Sequence, residues 1–344
     1  MIRIGINGFG RIGRSIFRIN LKHKLYEIVA INDIDPDINN LSYLLQYDST
    51  YGNLDFDVQV NKNKILVDDC NVRVFNEKNI ADVDWSSCGV DLIIDSSGIF
   101  ENVLSAKKLI GIVKKIIVTH SPKSGIDITI MNGVNESNYD YDKHHIISSS
   151  ICDANALAPF YNLINSDFGV KNGFVTTLHP WLSYQNLLDG SVKSISSPGH
   201  FWNDYGLGRS SINSMIPKET SLMKAMSYVF GGEIENKIKA MSFRTPTSIV
   251  SVADGTFVLD QKVDEDLIKN SIKNFLKKYP KTLSINEKPL ISIDFLKTEY
   301  AGNIDLRWIR TNENLLKFII WYDNEWGYSS VTYNLIKIVL NGNN

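Results

Sequence analysis

Six residues near the N-terminus carry the most specific chemistry in the chain. Gly8-Phe9-Gly10-Arg11-Ile12-Gly13 follows a short apolar run, Ile2 to Ile6, and leads directly into a helical pattern. In such a turn one glycine permits the tight bend, one lets a pyrophosphate approach the backbone, and one lets helix and strand pack closely. The helix start then offers free N–H groups and a partial positive charge to the phosphates. A second apolar run, Glu27 to Asn32, ends on Asp33. An acidic residue about 20 positions past the glycines accepts hydrogen bonds from an adenosine ribose. The same carboxylate repels a 2′-phosphate, so NAD is expected ahead of NADP. The second candidate is a sulfur. Cys152 stands at the expected start of a helix, where the texture of the chain changes, and a thiolate there gains from the helix N-terminal field. Cys70 and Cys88 read as small buried apolar residues.

These groups need elements to hold them, and the pattern supplies two sets. In the first half, strand candidates at Ile2 to Ile6, Glu27 to Asn32, Lys64 to Val67, Val72 to Phe75, Asp91 to Asp95, Lys115 to Thr119 and His145 to Ser148 alternate with helical segments such as Arg11 to Lys22. That alternation predicts a Rossmann-type, doubly wound parallel sheet. After Cys152 come a helix over Asp153 to Asn165, strands at Gly173 to Leu178, Lys239 to Phe243, Thr247 to Val252 and Leu315 to Trp321, and a helix over Asp264 to Lys278. This segment reads as α+β with a mixed or antiparallel sheet. Trp181 to Arg209 is long, irregular and rich in Ser, Gly and Asn, as functional or subunit-contacting loops often are. A final helix over Tyr328 to Leu340 shows Val331, Leu335, Ile338 and Val339 at helical spacing. At 344 residues the chain is long enough for two domains. Its 36 basic and 38 acidic residues leave a net charge of -2, which gives no support to nucleic-acid or membrane-surface binding. No apolar run reaches the ~18 residues of a membrane span. Three cysteines without paired spacing suit a reducing cytoplasm and argue against a disulfide scaffold or a structural zinc site.

Several blocks resemble the phosphorylating glyceraldehyde-3-phosphate dehydrogenase family and its relative, erythrose-4-phosphate dehydrogenase. They are Gly5 to Arg14, Ala30 to Asp33, Gln46 to Gly52, Ser96-Ser97-Gly98-Ile99-Phe100, Phe243 to Thr247, and Trp321 to Tyr328. The resemblance covers essentially the whole chain. It implies an NAD-binding domain over 1–151 and 325–344, a catalytic domain over 152–324, and a homotetramer. The cofactor set it implies is Gly8, Gly10, Arg11, Ile12, Gly13, Asp33, Ser97, Gly98, Thr119 and Asn324, the last holding the nicotinamide carboxamide. Cys152 matches the family's nucleophile, and His179, at the end of Thr176-Thr177-Leu178-His179, matches its catalytic histidine. The implied chemistry is attack of a thiolate on an aldehyde, loss of hydride with imidazole taking the hydroxyl proton, and a thioester passed to an acyl acceptor.

The departures from the family gather on phosphate recognition. The family's nucleophile segment reads Ser-Cys-Thr-Thr-Asn; here it is Ile151-Cys152-Asp153-Ala154-Asn155. Two hydroxyls that help hold inorganic phosphate are thus replaced by a hydrocarbon and an anion. Thr220 is retained, but Ser221 replaces a glycine. Leu182 and Tyr184 replace hydroxyl or acidic residues after the histidine, Leu207 stands where an Arg is typical, and Arg209 and Arg244 remain. Loss of the first threonine, at Leu182, leans toward erythrose-4-phosphate dehydrogenases, which release acid by hydrolysis. Ser191 replaces a proline common in NAD-specific members, so NADP tolerance is expected beside NAD. The readings carried forward are NAD-dependent oxidation of a phosphorylated aldehyde with altered phosphate sites, a hydrolytic enzyme with a different substrate, and a silent NAD-binding paralogue. Another cysteine-dependent semialdehyde dehydrogenase would share the chemistry but not the Trp321 to Tyr328 block.

Overall fold

The computed structural model describes residues 1–183, 185–190 and 205–341. Tyr184 and Ser191, and with them much of the irregular stretch after His179, lie outside the described residues. Packing divides the chain into two compact units. One comprises Met1–Ile130, Asn135–Ile151 and the chain from Ser329 onward; the other comprises Met131–Val134 and Cys152–Tyr328.

The first unit is built on a nine-stranded sheet. Its order is Val58–Asn61, Lys64–Val67, Cys70–Phe75, Glu27–Asn32, Arg3–Asn7, Leu92–Asp95, Lys115–Val118, Ile146–Ser148, Ile128–Thr129. All pairings are parallel except the two at the Val58–Asn61 edge, which are antiparallel. Parallel strands covered on both faces read as continuous apolar runs. Leu92, Ile93 and Ile94 are fully buried, as are Ile116, Ile117 and Val118 to within 1%. From Arg3–Asn7 the chain first builds outward through Glu27–Asn32 and later returns to lay Leu92–Asp95 on the other side. This reversal is the switch point at which open α/β sheets bind ligands, beyond the carboxyl ends of the strands.

A buried polar chain fixes those carboxyl ends. Asn7 Nδ2 donates to Asp95 Oδ1 at 2.9 Å, and Asn32 Nδ2 donates to Asn7 Oδ1 at 2.7 Å. Asn32 is tied in turn to Glu77 through its backbone N–H and C=O. Burial pushes the Asp95 carboxyl up, against the hydrogen bonds from Ser97 and Asn7 that favour its charged form. The final helix, Trp326–Asn341, adds a cover to this unit. Tyr333 donates to Asn20 Oδ1 at 2.8 Å, and Val339 O accepts from the Tyr139 hydroxyl at 2.8 Å.

The second unit holds an eight-stranded mixed sheet. Its main order is Ile216–Lys218, Ile238–Arg244, Val170–His179, Ser251–Leu259, Leu315–Tyr322, Gly302–Asp305, Leu283–Asn286, with Arg310–Asn312 pairing to Leu315–Tyr322. One face alternates buried and open, with Leu316, Phe318, Ile320 and Tyr322 all inward. Helix Cys152–Phe168 packs there, Phe160 meeting Phe318 at 4.5 Å and Phe257 at 6.5 Å between ring centres. The expected strand over Thr247 to Val252 is corrected: the strand begins at Ser251 and runs to Leu259. Residues Thr245 to Thr247 instead curl over the end of the neighbouring strand, Thr245 N–H and Oγ1 both donating to His179 O. Val250 then turns the chain with a φ of 67°.

Replacement of Asn7 by Ala leaves Asp95 and Asn32 each short of a buried partner. The expected result is a loss of about 1–3 kcal/mol in unfolding free energy, read from urea titration. An unchanged midpoint would show that the amide is dispensable.

Candidate active site

At the switch point, the glycine turn makes the tight bend and the close helix packing that its spacing predicts. Gly8 adopts φ +87°, and a side chain there would meet Ser97 N at 2.6 Å. A side chain at Gly13 would strike Gly8 O at 2.3 Å, so its absence lets the helix Arg11–His23 close onto the turn. At Gly10, the helix cap, a Cβ would meet nothing within 4 Å. Open space over a helix N-terminus is what a pyrophosphate needs. The two turns expected at the cofactor therefore lie against each other, and Ser96 Oγ donates to Gly8 O at 2.6 Å.

Asp33 follows its strand directly. Its Oδ2 accepts from Phe9 N at 2.5 Å and its Oδ1 from Asp35 N at 2.9 Å, so the carboxylate is held against the glycine turn. Ser97 donates through Oγ to Asp95 Oδ1 at 2.7 Å, Gly98 takes a φ of 69°, and Thr119 Oγ1 donates to Asp95 O. Ile12 is half-buried in the first helical turn. Arg11 does not project freely: it pairs with Asp48 and lies 5.2 Å from the centre of the Tyr51 ring. Its side chain braces the Gln46 to Gly52 block. The residues fit a dinucleotide.

In the second unit the strand pairing gathers one end of four neighbouring strands. His179 and Arg244 end parallel strands in register. Ser251 begins the next strand, and Tyr322 ends the one paired to it, opposite Ser251. Antiparallel pairing brings a strand start beside a strand end, so all four residues reach the same edge. The helix Cys152–Phe168 delivers Cys152 and Asp153 to this edge from its first turn. Two residues earlier, Ser150 takes a φ of 60°, an unusual conformation for a non-glycine residue beside a reactive group.

The side chains there form a hydrogen-bonded row. Cys152 Sγ donates to Asp153 Oδ1 at 2.9 Å, and Asp153 Oδ2 lies 3.0 Å from His179 Nε2. His179 Nδ1 lies 3.1 Å from Ser251 Oγ. With an ionised carboxylate the directions follow: Nε2 carries its proton toward Asp153, and the Ser251 hydroxyl donates to Nδ1. Asp153 thus stands between the thiol and the imidazole. The Tyr322 ring closes the far side, edge-on to His179 at 6.0 Å.

Charge follows this geometry. Burial pushes the Cys152 thiol well up, and the neighbouring Asp153 carboxylate pushes it further. These outweigh the helix-start effect expected from the sequence. The imidazole of His179 and the thiol's hydrogen bond hold the Asp153 carboxyl far below the usual range despite its burial. Arg244 contributes an opposing positive field at Cys152, donates to Pro180 O at 3.1 Å, and keeps its Nε buried without a partner.

Lys218 was not singled out from the sequence. Burial pushes its ammonium down, Arg244 adds to that, and Asp153 and Cys152 act in the opposite sense. A lysine two places before Thr220 was the available signal; only the strand pairing shows where it points. Ser251, which orients the histidine, carried no signal. Thr220 Oγ1 accepts from Leu222 N at 3.2 Å and so caps its own helix, Leu222–Phe230, at whose start Ser221 is exposed. Leu182 is half-buried, with its N–H on Gln185 Oε1. Arg209 is exposed and paired with Asp189 at 2.7 Å, while Leu207 is buried. Asn324 sits on the loop that Asp323 secures by accepting from the N–H groups of Glu325, Trp326 and Lys297. Its Oδ1 is buried without a partner, which fits an amide donor.

A doubly wound sheet with an open glycine-turn cap and an acid at the end of its second strand, together with a thiol and a buried histidine, fits an NAD-dependent dehydrogenase. Residues 2–103 match the family model described as "Glyceraldehyde 3-phosphate dehydrogenase, NAD binding domain", and residues 151–324 match that family's C-terminal domain. Glyceraldehyde-3-phosphate dehydrogenase 1 of Bacillus cereus is 37% identical over 338 residues, covering 97% of each chain. The Geobacillus stearothermophilus enzyme is 36% identical over 95% of each chain, and glyceraldehyde-3-phosphate dehydrogenase 1 of Saccharomyces cerevisiae is 36% identical over 98% of this chain and 99% of its own. The chain belongs to the glyceraldehyde-3-phosphate dehydrogenase family. Among the described residues, no helix is long and apolar enough to cross a membrane.

Two outcomes are expected from this geometry. Asp153→Asn removes an anion that raises the thiol, so the pH midpoint of iodoacetamide alkylation at Cys152 moves down. An unmoved midpoint would assign the raised thiol to burial alone. Asp33→Ser removes the repulsion of a 2′-phosphate together with a ribose partner. The ratio of kcat/KM for NAD to that for NADP should drop about tenfold, equivalent to about 1.4 kcal/mol, in steady-state assays with each cofactor.

Proposed function

We propose that the chain oxidises a small phosphorylated aldehyde through a Cys152 thioester, with water as the acyl acceptor in place of inorganic phosphate. The observation that carries this is the Asp153 carboxylate, which binds both Cys152 Sγ and His179 Nε2 where the family places a phosphate-binding hydroxyl.

NAD, when bound, would supply the hydride acceptor, with Gly8, Gly10, Gly13 and Asp33 as the residues that would hold its pyrophosphate and adenosine half. Cys152 is the nucleophile. As sulfur bonds to the aldehyde carbon, its proton leaves toward the Asp153 carboxylate it already contacts. The product of that step is a thiohemiacetal. Asp153 releases that proton to solvent, and as the thioester forms His179 Nε2 passes its own proton to Asp153 and receives the hydroxyl proton in its place. Arg244, with Lys218 beside it, receives the anionic end of the substrate, since an arginine fork matches a phosphate. In the last step Asp153, its proton released to solvent, accepts a hydrogen bond from a water aimed at the thioester carbon. Addition of that water and expulsion of the thiol yield a carboxylic acid and restore Cys152.

The same carboxylate disfavours inorganic phosphate, because two anions in a buried site repel with little screening. Support for the cofactor preference comes from Asp33, with NADP tolerated less well. The family likeness and the three unpaired cysteines support a homotetramer in the cytoplasm; neither nucleic acid nor membrane is a proposed partner.

Acid production is expected at the same rate with and without inorganic phosphate, and Asp153→Thr should restore phosphate dependence. A strict phosphate requirement in the unmodified protein, with acyl phosphate as product, would overturn the hydrolytic reading while leaving the aldehyde oxidation intact.

A further inference from the structure

Three different donor atoms converge in the row that holds the nucleophile. Cys152 Sγ, a carboxylate oxygen of Asp153 and His179 Nε2 all lie within 4.8 Å of one another, and no other such cluster occurs among the described residues. Around a tetrahedral zinc ion, bond lengths of about 2.0–2.3 Å place neighbouring ligands about 3.3–3.6 Å apart. The cluster therefore needs only side-chain adjustment to close on a cation.

We propose that Cys152, Asp153 and His179 form a three-ligand site for a thiophilic divalent cation, Zn²⁺ in particular, whose binding reversibly silences the nucleophile. Four observations carry this. The donor set is sulfur, nitrogen and oxygen, which suits Zn²⁺ and excludes the all-oxygen preference of Mg²⁺ and Ca²⁺. The histidine's other nitrogen is held by Ser251 Oγ at 3.1 Å, the kind of outer partner that fixes a metal-ligating imidazole. The side chains of Asp153 and His179 are each only 8% exposed, so few waters compete for the ion. Finally, a thiolate and a carboxylate together balance a charge of two.

Coordination is balanced simply. The Cys152 S–H bond breaks, its proton goes to solvent and the sulfur bonds to the metal. The Nε2 proton of His179 is exchanged through solvent for one on Nδ1, which then donates to Ser251 Oγ and leaves Nε2 free for the metal. No electron changes hands. Three protein ligands leave a fourth position, and the positive field of Arg244 and Lys218 suits an anion or hydroxide there. With the sulfur lone pair and the carboxylate both engaged, attack on an aldehyde stops until a chelator removes the ion. Without Asp153 only two donors would remain, too few for a tight site. The proposal uses the residues of the proposed reaction but not the identity of its acyl acceptor.

The test is titration of the full-length protein with Zn²⁺ against a chromogenic chelator, and with Co²⁺ followed by its thiolate charge-transfer band. No aldehyde, NAD or phosphate is present, so the result stands apart from the acyl-acceptor assay. One ion per chain is expected, with proton release. Ser251→Ala should weaken binding about tenfold and Asp153→Asn by more. Cys152→Ser should abolish the cobalt band, and the Cys70→Ser/Cys88→Ser double variant should bind as the parent does. Equal binding by Asp153→Asn and the parent, survival of the site in Cys152→Ser, or loss of it in the double variant would each overturn the proposal. So would no binding at micromolar free zinc.

Discussion

Much of the second unit's chemistry depends on one buried carboxylate. Asp153 accepts from the thiol of Cys152 in a part-buried contact and from the imidazole of His179 in a buried one. A desolvated carboxylate is costly unless its lone pairs are used, and here two neighbours use them. The same contacts set the site's resting state: a protonated thiol, a charged carboxylate and an imidazole whose proton faces it. A thiol in this setting is restrained rather than pre-ionised. The thiol gives up its proton when a bonding partner for the sulfur takes over the negative charge.

The framework holding Asp153 is a matter of strand direction. Parallel pairing of Val170–His179 with Ile238–Arg244 places His179 beside Arg244, and antiparallel pairing brings Ser251 and Tyr322 to the same edge. Helix Cys152–Phe168 is pinned across the buried face by Phe160 against Phe257 and Phe318. The cofactor turn has an equivalent support in its own unit. There the Asn7, Asp95 and Asn32 side chains tie the ends of three parallel strands, so the glycine turn rests on a fixed base. Both sites thus sit on strand ends, where rigid backbone gives way to side chains free to meet a ligand.

The glycine turn was legible because backbone constraints are written in residue type. Only glycine tolerates the approach of Ser97 to Gly8 and of Gly13 to Gly8 O, so the pattern could be read without neighbours. Continuous apolar runs such as Leu92 to Asp95 likewise announced a sheet buried on both faces. The strand at Ser251–Leu259 was misplaced because Thr247 to Val250 include β-branched residues but follow the turn at Thr245, and Val250 bends the chain with a positive φ before the strand begins. Short strands such as Leu283–Asn286 and Gly302–Asp305 gave no periodic signal, since each is stabilised by partners distant in the chain.

By itself, the sequence determined the sheet type, the glycine turn and the acid that follows its second strand, because each rests on local backbone or residue chemistry. It also showed that an anion follows Cys152. Where that anion points was decided by tertiary structure alone. Asp153 and His179 are separated by 26 positions, and Ser251 stands 72 beyond the histidine. Only the packing of one helix on the ends of four strands converts a residue that reads as hostile to phosphate into the link between thiol and imidazole.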